Sequence, residues 1–220
     1  MLIQISVSGN DVYVGGNNIG AVYWKNGIAA IIAGSASGVN GMFVSGSNVY
    51  LCGYEADSQG SNLVYWKNGG ATELAHAEGL LANAISISGN DVYVVGSITD
   101  NITGAAELVY WKNGVINYLP KGPNGGQAYA IYIVGTDIYI AGIQYAASGN
   151  ALATYWKNGT AVNLVTNERS FSRSFFVLNG DVYVVGYTSE VDATIATYWK
   201  NGVATPIGKI NSLGYSIFVK

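Results

Sequence analysis

Apolar residues in this chain come in short runs broken by Gly, Asn and Ser, and the breaks recur at a fixed interval. One unit shows the pattern. "AISIS" (84–88) is followed by a turn and then by "DVYVVG" (91–96). A variable stretch leads to "LVYW" (108–111), then "KNG" and a short final run. The runs are 4–7 residues long, rich in Val, Ile, Tyr and Trp, and bounded by Gly and Asn, which predicts strands and not helices. The pentapeptide "YWKNG" closes the third run of every unit, at 23–27, 65–69, 110–114, 155–159 and 198–202. Its tryptophans, Trp24, Trp66, Trp111, Trp156 and Trp199, are spaced 42, 45, 45 and 43 residues apart. A period near 44 is the signature of a repeat architecture.

Each unit reads as a four-stranded antiparallel meander with two tight turns. Asn-Gly in "KNG" suits a type I′ hairpin, which needs positive φ at both central residues. The earlier turn uses Gly-Asn at 9–10 and 89–90 but Asn-Gly at 179–180, an exchange between residues that both tolerate positive φ. The second strand is apolar at nearly every position, so both its faces must be covered. Sheets of that kind stack on one another, and five of them predict an all-β, five-bladed β-propeller of four-stranded antiparallel blades. The expected blades are 1–38, 39–81, 82–127, 128–171 and 172–213 of a single domain, 1–220, with the fourth strand outermost. Pro206 in a fourth strand agrees with an edge position. First-strand sequences occur six times, so 214–220 is surplus. Residues 2–7 and 216–219 compete for one slot, and the shorter connection favours 2–7. The displaced segment is then a site for homo-oligomer formation or for a longer array.

"SGNDVYVVG" followed by "YWKNG" resembles the propeller repeats of bacterial secreted and lipid-anchored proteins, especially of Bacteroidetes, and is more distantly similar to NHL-type blades. The resemblance spans the chain and implies extracellular or cell-surface display, with no activity to carry over.

Composition narrows the chemistry. A net charge of −3 leaves no basic face for nucleic acid. No apolar run approaches a membrane-spanning length, so membrane insertion is not expected. Cys52 occupies a column otherwise filled by Gly15, Val95, Ala141 and Val185, which makes it a small core residue. His76 is the single histidine and reads as a solvated loop residue. No His-based metal cage, calcium loop or phosphate-cradling loop can be assembled, so no cofactor or metal is expected. Carboxylate-only catalysis would draw on Glu55, Asp57, Asp100, Glu107, Glu190 and Asp192, which are scattered without internal pattern.

The two ends of the blades differ. At the tight-turn end, Asp11, Asn48, Asp91, Asp137 and Asp181 open second strands opposite Lys25, Lys67, Lys112, Lys157 and Lys200, a pairing of modest strength. The Gly closing each second strand (16, 53, 96, 142, 186) marks a bend or a close blade approach. The loop end varies in every blade and carries nine acids against four bases, Lys121, Arg169, Arg173 and Lys209. Tyr54, Tyr129, Tyr145, Phe171 and Tyr187 offer contact anchors there. The expected binding residues are Tyr54, Glu55, Asp57, Tyr145, Tyr187 and Glu190, while the five Trp are structural. The reading these features support is a non-enzymatic recognition or scaffold module for a protein or glycan partner. The alternative is a multivalent lectin with a repeated aromatic between blades.

Overall fold

The computed structural model describes residues 2–58, 60–76, 81–99, 106–164, 169–190 and 193–220. Twenty strands form five four-stranded antiparallel sheets, each in plain chain order. Blade 1 holds β1 (Leu2–Ser8), β2 (Asp11–Asn18), β3 (Gly20–Lys25) and β4 (Ile28–Ile31). Blade 2 holds β5 (Ser37–Ser45), β6 (Asn48–Asp57), β7 (Gly60–Lys67) and β8 (Gly70–His76). Blade 3 holds β9 (Leu81–Ser88), β10 (Asp91–Thr99), β11 (Ala106–Lys112) and β12 (Val115–Tyr118). Blade 4 holds β13 (Gly126–Val134), β14 (Asp137–Tyr145), β15 (Ala151–Lys157) and β16 (Thr160–Asn163). Blade 5 holds β17 (Arg169–Leu178), β18 (Asp181–Glu190), β19 (Ala193–Lys200) and β20 (Val203–Ile210). The fold is a five-bladed β-propeller. Two compact units divide the chain: Met1–Thr99 with Tyr110–Asn117, and Asp100–Val109 with Tyr118–Lys220.

Blade-to-blade packing within each unit rests on the apolar second strands. In the first unit Trp66 lies in a cluster with Tyr13, Val39, Met42 and Leu51, flanked by Ile32 and Ala33 of blade 1. In the second, Trp199 packs with Tyr139, Ala153 and Leu164 of blade 4. Cys52 is fully buried, its Sγ 3.9 Å from the Ala82 carbonyl, and burial pushes its thiol well up, so it is inert packing.

Every first strand carries a bulge. The register skips one residue at Ile3, Asn40, Asn83, Tyr129 and Arg173. The extra residue bends the strand and lets pairing resume beyond it. First and second strands therefore reach 9–10 residues in blade 2 and 10 in blade 5, longer than the alternating pattern predicts. The bulge also explains the glycine column. A Cβ on Gly53, Gly96, Gly142 or Gly186 would lie 1.8, 1.7, 2.0 or 1.8 Å from the carbonyl oxygen of Gly38, Leu81, Gln127 or Phe171 in the same blade. The constraint is a bend within the blade.

The tight turns are of two kinds. Gly9, Gly46, Gly89 and Gly135 have φ near +60°, while the residues after them do not have positive φ. That is the pattern of a type II′ turn, which frees its second position and accounts for Ser47 and Thr136 there. At 179–180 both residues have positive φ, as in type I′.

"YWKNG" forms a clamp at each corner. The Asn sits at φ 49–51° and its Oδ1 accepts the backbone N–H of Val12, Val49, Val92, Ile138 or Val182 at 2.8–2.9 Å. Its Nδ2 donates to the residue opening the second strand, Asp11, Asn48, Asp91, Asp137 or Asp181, at 2.7–2.8 Å. The Lys Nζ lies 2.7–3.0 Å from the carboxylate in the four corners that have one, and 5.1–5.4 Å above the second-strand Tyr ring in all five. In Asp11, Asp91 and Asp181 the Lys and then the Asn hold the carboxyl below its ordinary 3.8; at Asp137 Asn158 contributes ahead of Lys157. A depressed folded-state value means the unfolded chain binds more protons in that range. The corners thus contribute stability above pH 3.8 that is lost as pH falls through the folded-state values. Changing all four Asp to Asn, which blade 2 already has at Asn48, is expected to flatten the acid limb of a urea-midpoint series from pH 6 to 2. An unchanged acid limb contradicts this account.

Residues 2–8 hold the first-strand position of blade 1, pairing from Leu2↔Gly16 to Ser8↔Asp11. Residues 216–219, expected as a strand, form none. Gly214 N–H donates to the Gly186 carbonyl at 3.1 Å, and Phe218 meets Phe176 edge-on at 5.4 Å.

Candidate functional site

The loop-end residues singled out from sequence separate into two groups, one in each unit. In the first unit, pairing beyond the Asn40 bulge aligns Ser37, Glu55, Asn62 and His76 across β5, β6, β7 and β8. Directly paired residues share a sheet face. Asp57, two residues after Glu55 on β6, points the same way. Tyr54 points to the other face, its ring covering Gly38, and takes no part.

An open pocket of about 500 Å³ lies beside this row, lined by Ile32–Ser37, Glu55 and Ala56. Glu55 is half-buried, and Trp66 Nε1 donates to its Oε1 at 3.1 Å. Among the described residues its other oxygen has no partner. Ser37 is committed to structure: its hydroxyl donates to the Gly34 carbonyl at 2.5 Å and accepts Ala21 N–H at 3.0 Å.

The rest of the row forms a hydrogen-bonded string. Asn62 Nδ2 donates to Asp57 Oδ2 at 3.1 Å, which leaves Asn62 Oδ1 facing His76 Nδ1. A carboxylate can only accept, so Asn62 turns its amide NH₂ to Asp57 and its oxygen to the imidazole. Nδ1 of His76 therefore carries the proton, and in the neutral ring Nε2 is the acceptor. His76 is thus an exposed residue at the end of β8, held by Asn62, and not in a loop as the sequence suggested.

In the second unit Tyr145 and Tyr187 are joined by Tyr129, Phe171, Arg169 and Arg173 at the ends of blades 4 and 5. The Phe171 and Tyr187 rings stack at 4.9 Å and 24°. Among the described side chains, the second-unit carboxylate on this end is Glu107, which forms an ion pair with Lys121. Glu78, Asp100, Glu168 and Asp192, and the side chain of Glu190, lie outside the described residues. Among the described residues no cluster of His, Cys, Asp and Glu could hold a metal ion.

Four of the five tryptophans are sealed off and cannot serve as sugar platforms. Trp66, Trp111, Trp156 and Trp199 are 0–1% exposed, and Trp156 Nε1 donates to the Pro120 carbonyl at 2.9 Å. Trp24 is half-buried.

No family model matches the chain, and no curated relative matches it. Solved structures share its fold. A thermostable family-43 glycoside hydrolase is 12% identical with a TM-score of 0.50, the match covering 94% of this chain and 92% of that one. A puromycin-hydrolyzing peptidase of Mycobacterium tuberculosis is 12% identical with a TM-score of 0.55, over 93% of this chain and 38% of the peptidase. These likenesses correct the expectation of a non-enzymatic recognition module. Hydrolases are built on this fold, so regular repeats and a missing His-based relay do not argue against catalysis. The lectin alternative falls with it, because the repeated aromatic on which it depended is sealed inside the blades in four of five copies.

Proposed function

We propose that this chain is a carbohydrate-active hydrolase whose working groups are Glu55 and Asp57 at the end of blade 2. The observation that carries the reading is the placement of Glu55 on a pocket wall, with Trp66 anchoring one carboxylate oxygen and the other without a partner among the described residues. The fold shared with a glycoside hydrolase supports it as analogy of architecture. Alternate residues on a strand stand roughly 6.7 Å apart along its axis. Carboxyl groups about 6.5–9.5 Å apart leave room for a water, which is the inverting arrangement. Glu55 then protonates the departing glycosidic oxygen as its bond to the anomeric carbon breaks. Asp57 takes a proton from the water whose oxygen forms the new bond to that carbon. Asn62 and His76 hold Asp57 in position through the hydrogen-bonded string.

The test is a panel of α- and β-linked aryl pentosides and hexosides assayed with the wild-type chain, Glu55→Gln and Asp57→Asn. The expected result is release from at least one substrate, lost in both variants at unchanged circular dichroism, with an inverted first product by proton NMR. Turnover that survives either substitution, or no release from any substrate, overturns the proposal.

A further inference from the structure

The second unit contains a site that the carboxylate pair does not use. Arg169, Phe171, Tyr187 and Arg173 form one continuous stack. The Arg169 guanidinium lies 5.2 Å from the Phe171 ring centre, Phe171 stacks on Tyr187, and the Arg173 guanidinium lies 5.8 Å from the Tyr187 ring centre. Both arginines are exposed and both rings half-buried. Among the described residues, no ion pair involves Arg169 or Arg173, although the chain as a whole is acidic. Their stacked faces are occupied, while among the described residues their N–H edges have no partner, the arrangement in which guanidinium receives a carboxylate in bidentate fashion.

The position within the repeat strengthens the point. Tyr129 and Arg173 are the bulge residues of β13 and β17, where the chain departs from its usual alternation and re-aims a side chain. The equivalent Asn40 in blade 2 has a purely structural task, donating to the Ala82 carbonyl at 3.0 Å. Blades 4 and 5 replace that polar staple with a phenol and a guanidinium. The Tyr129 hydroxyl donates to Gln127 Oε1 at 2.6 Å. Its pKa is pushed up to about 12 by burial and then by Tyr145, so it stays a neutral hydroxyl.

We propose that Arg169, Arg173, Phe171, Tyr187, Tyr129 and Tyr145 form a binding site for a uronic acid unit of a glycan. A guanidinium edge takes the sugar carboxylate, and the tyrosine hydroxyls take the hydroxyls of the sugar ring, while the aromatic pair holds both guanidinium planes in place. The site is independent of Glu55 and Asp57, and its ligand class is set by a carboxylate beside ring hydroxyls. An inorganic anion would use only the charge, and a neutral sugar only the hydroxyl contacts.

The test is calorimetry with oligogalacturonate and oligoglucuronate, their methyl esters, a neutral oligosaccharide of equal length, inorganic sulfate, and a Glu-rich peptide. The acid sugars are expected to bind, and their esters and the neutral sugar to bind about tenfold more weakly or worse. Arg173→Gln is expected to weaken acid-sugar binding about tenfold, with Arg173→Lys between it and wild type because an ammonium keeps the charge without the fork. Glu55→Gln should leave binding unchanged, which separates this site from the proposed catalytic pair. The inference is overturned if no acid sugar binds, if ester and acid bind alike, or if Arg173→Gln has no effect. Equal binding of sulfate or of the acidic peptide overturns it as well.

Discussion

Trp156→Ala is expected to lower the free energy of unfolding by about 4 kcal/mol, within the usual range for truncating a fully buried tryptophan. The side chain is 0% exposed in blade 4 and fills space that smaller neighbours cannot reoccupy. The polar part of the loss is small. The Pro120 carbonyl that receives Trp156 Nε1 also receives Gln144 Nε2 at 2.9 Å, so it is not orphaned by the substitution. The cost is therefore cavity and lost apolar burial. Trp24, half-buried in the first blade of its unit, supplies the internal comparison: Trp24→Ala should cost about half as much, roughly 2 kcal/mol. Urea denaturation of the two variants decides the matter. Equal losses, or a loss at Trp156 below about 1 kcal/mol, would show that the repeated tryptophan is not a packing element.

Gly96→Ala is the second large effect, about 3 kcal/mol of destabilisation from overpacking. A methyl group there would sit 1.7 Å from the Leu81 carbonyl oxygen, and the atom in the way is backbone held by the bulge of β9. Relief requires unbending the first strand, which would break pairing on both sides of Asn83. Two glycines frame the prediction. Gly114 has open space around it but φ of +82°, so Ala there costs only the left-handed penalty of roughly 1–2 kcal/mol. Gly34 has open space and no left-handed φ, so Ala should be tolerated. Thermal or urea midpoints that do not rank Gly96 worst and Gly34 mildest would refute the steric account.

The repeat, the four strands of each blade and their antiparallel order were legible because each depends on local signals: Asn-Gly turns, apolar second strands, and a Trp every 44 or so residues. The bulges were not, because adding one residue to a strand shifts the alternation without breaking it. The glycines at 53, 96, 142 and 186 were the visible trace of those bulges, and only coordinates show which carbonyl each one admits. The same gap concealed the candidate site. With β6 assumed to end at Gly53, Glu55 and Asp57 read as scattered loop acids and His76 as a solvated loop residue. Their alignment with Asn62 depends on pairing across four strands, a register fixed by hydrogen bonds between residues up to 18 positions apart. The turn at 9–10 was misread in a smaller way: only its glycine has positive φ.

The corner clamps also bear on how the chain reaches its fold. Each closes a segment of only 15–22 residues, so every blade can assemble from its own sequence before any blade docks on another. The same likeness creates a hazard, since a second strand reading "DVYV" can accept the first strand of an adjacent repeat nearly as well as its own. Mispairing by one whole repeat would leave every clamp intact and be costly to undo. What distinguishes one blade from the next during folding is therefore the unlike segments, such as 32–36 and 119–125, whose lengths and contacts act as addresses. Grafting one blade's connecting segment onto another should slow refolding far more than it alters the stability of the finished protein.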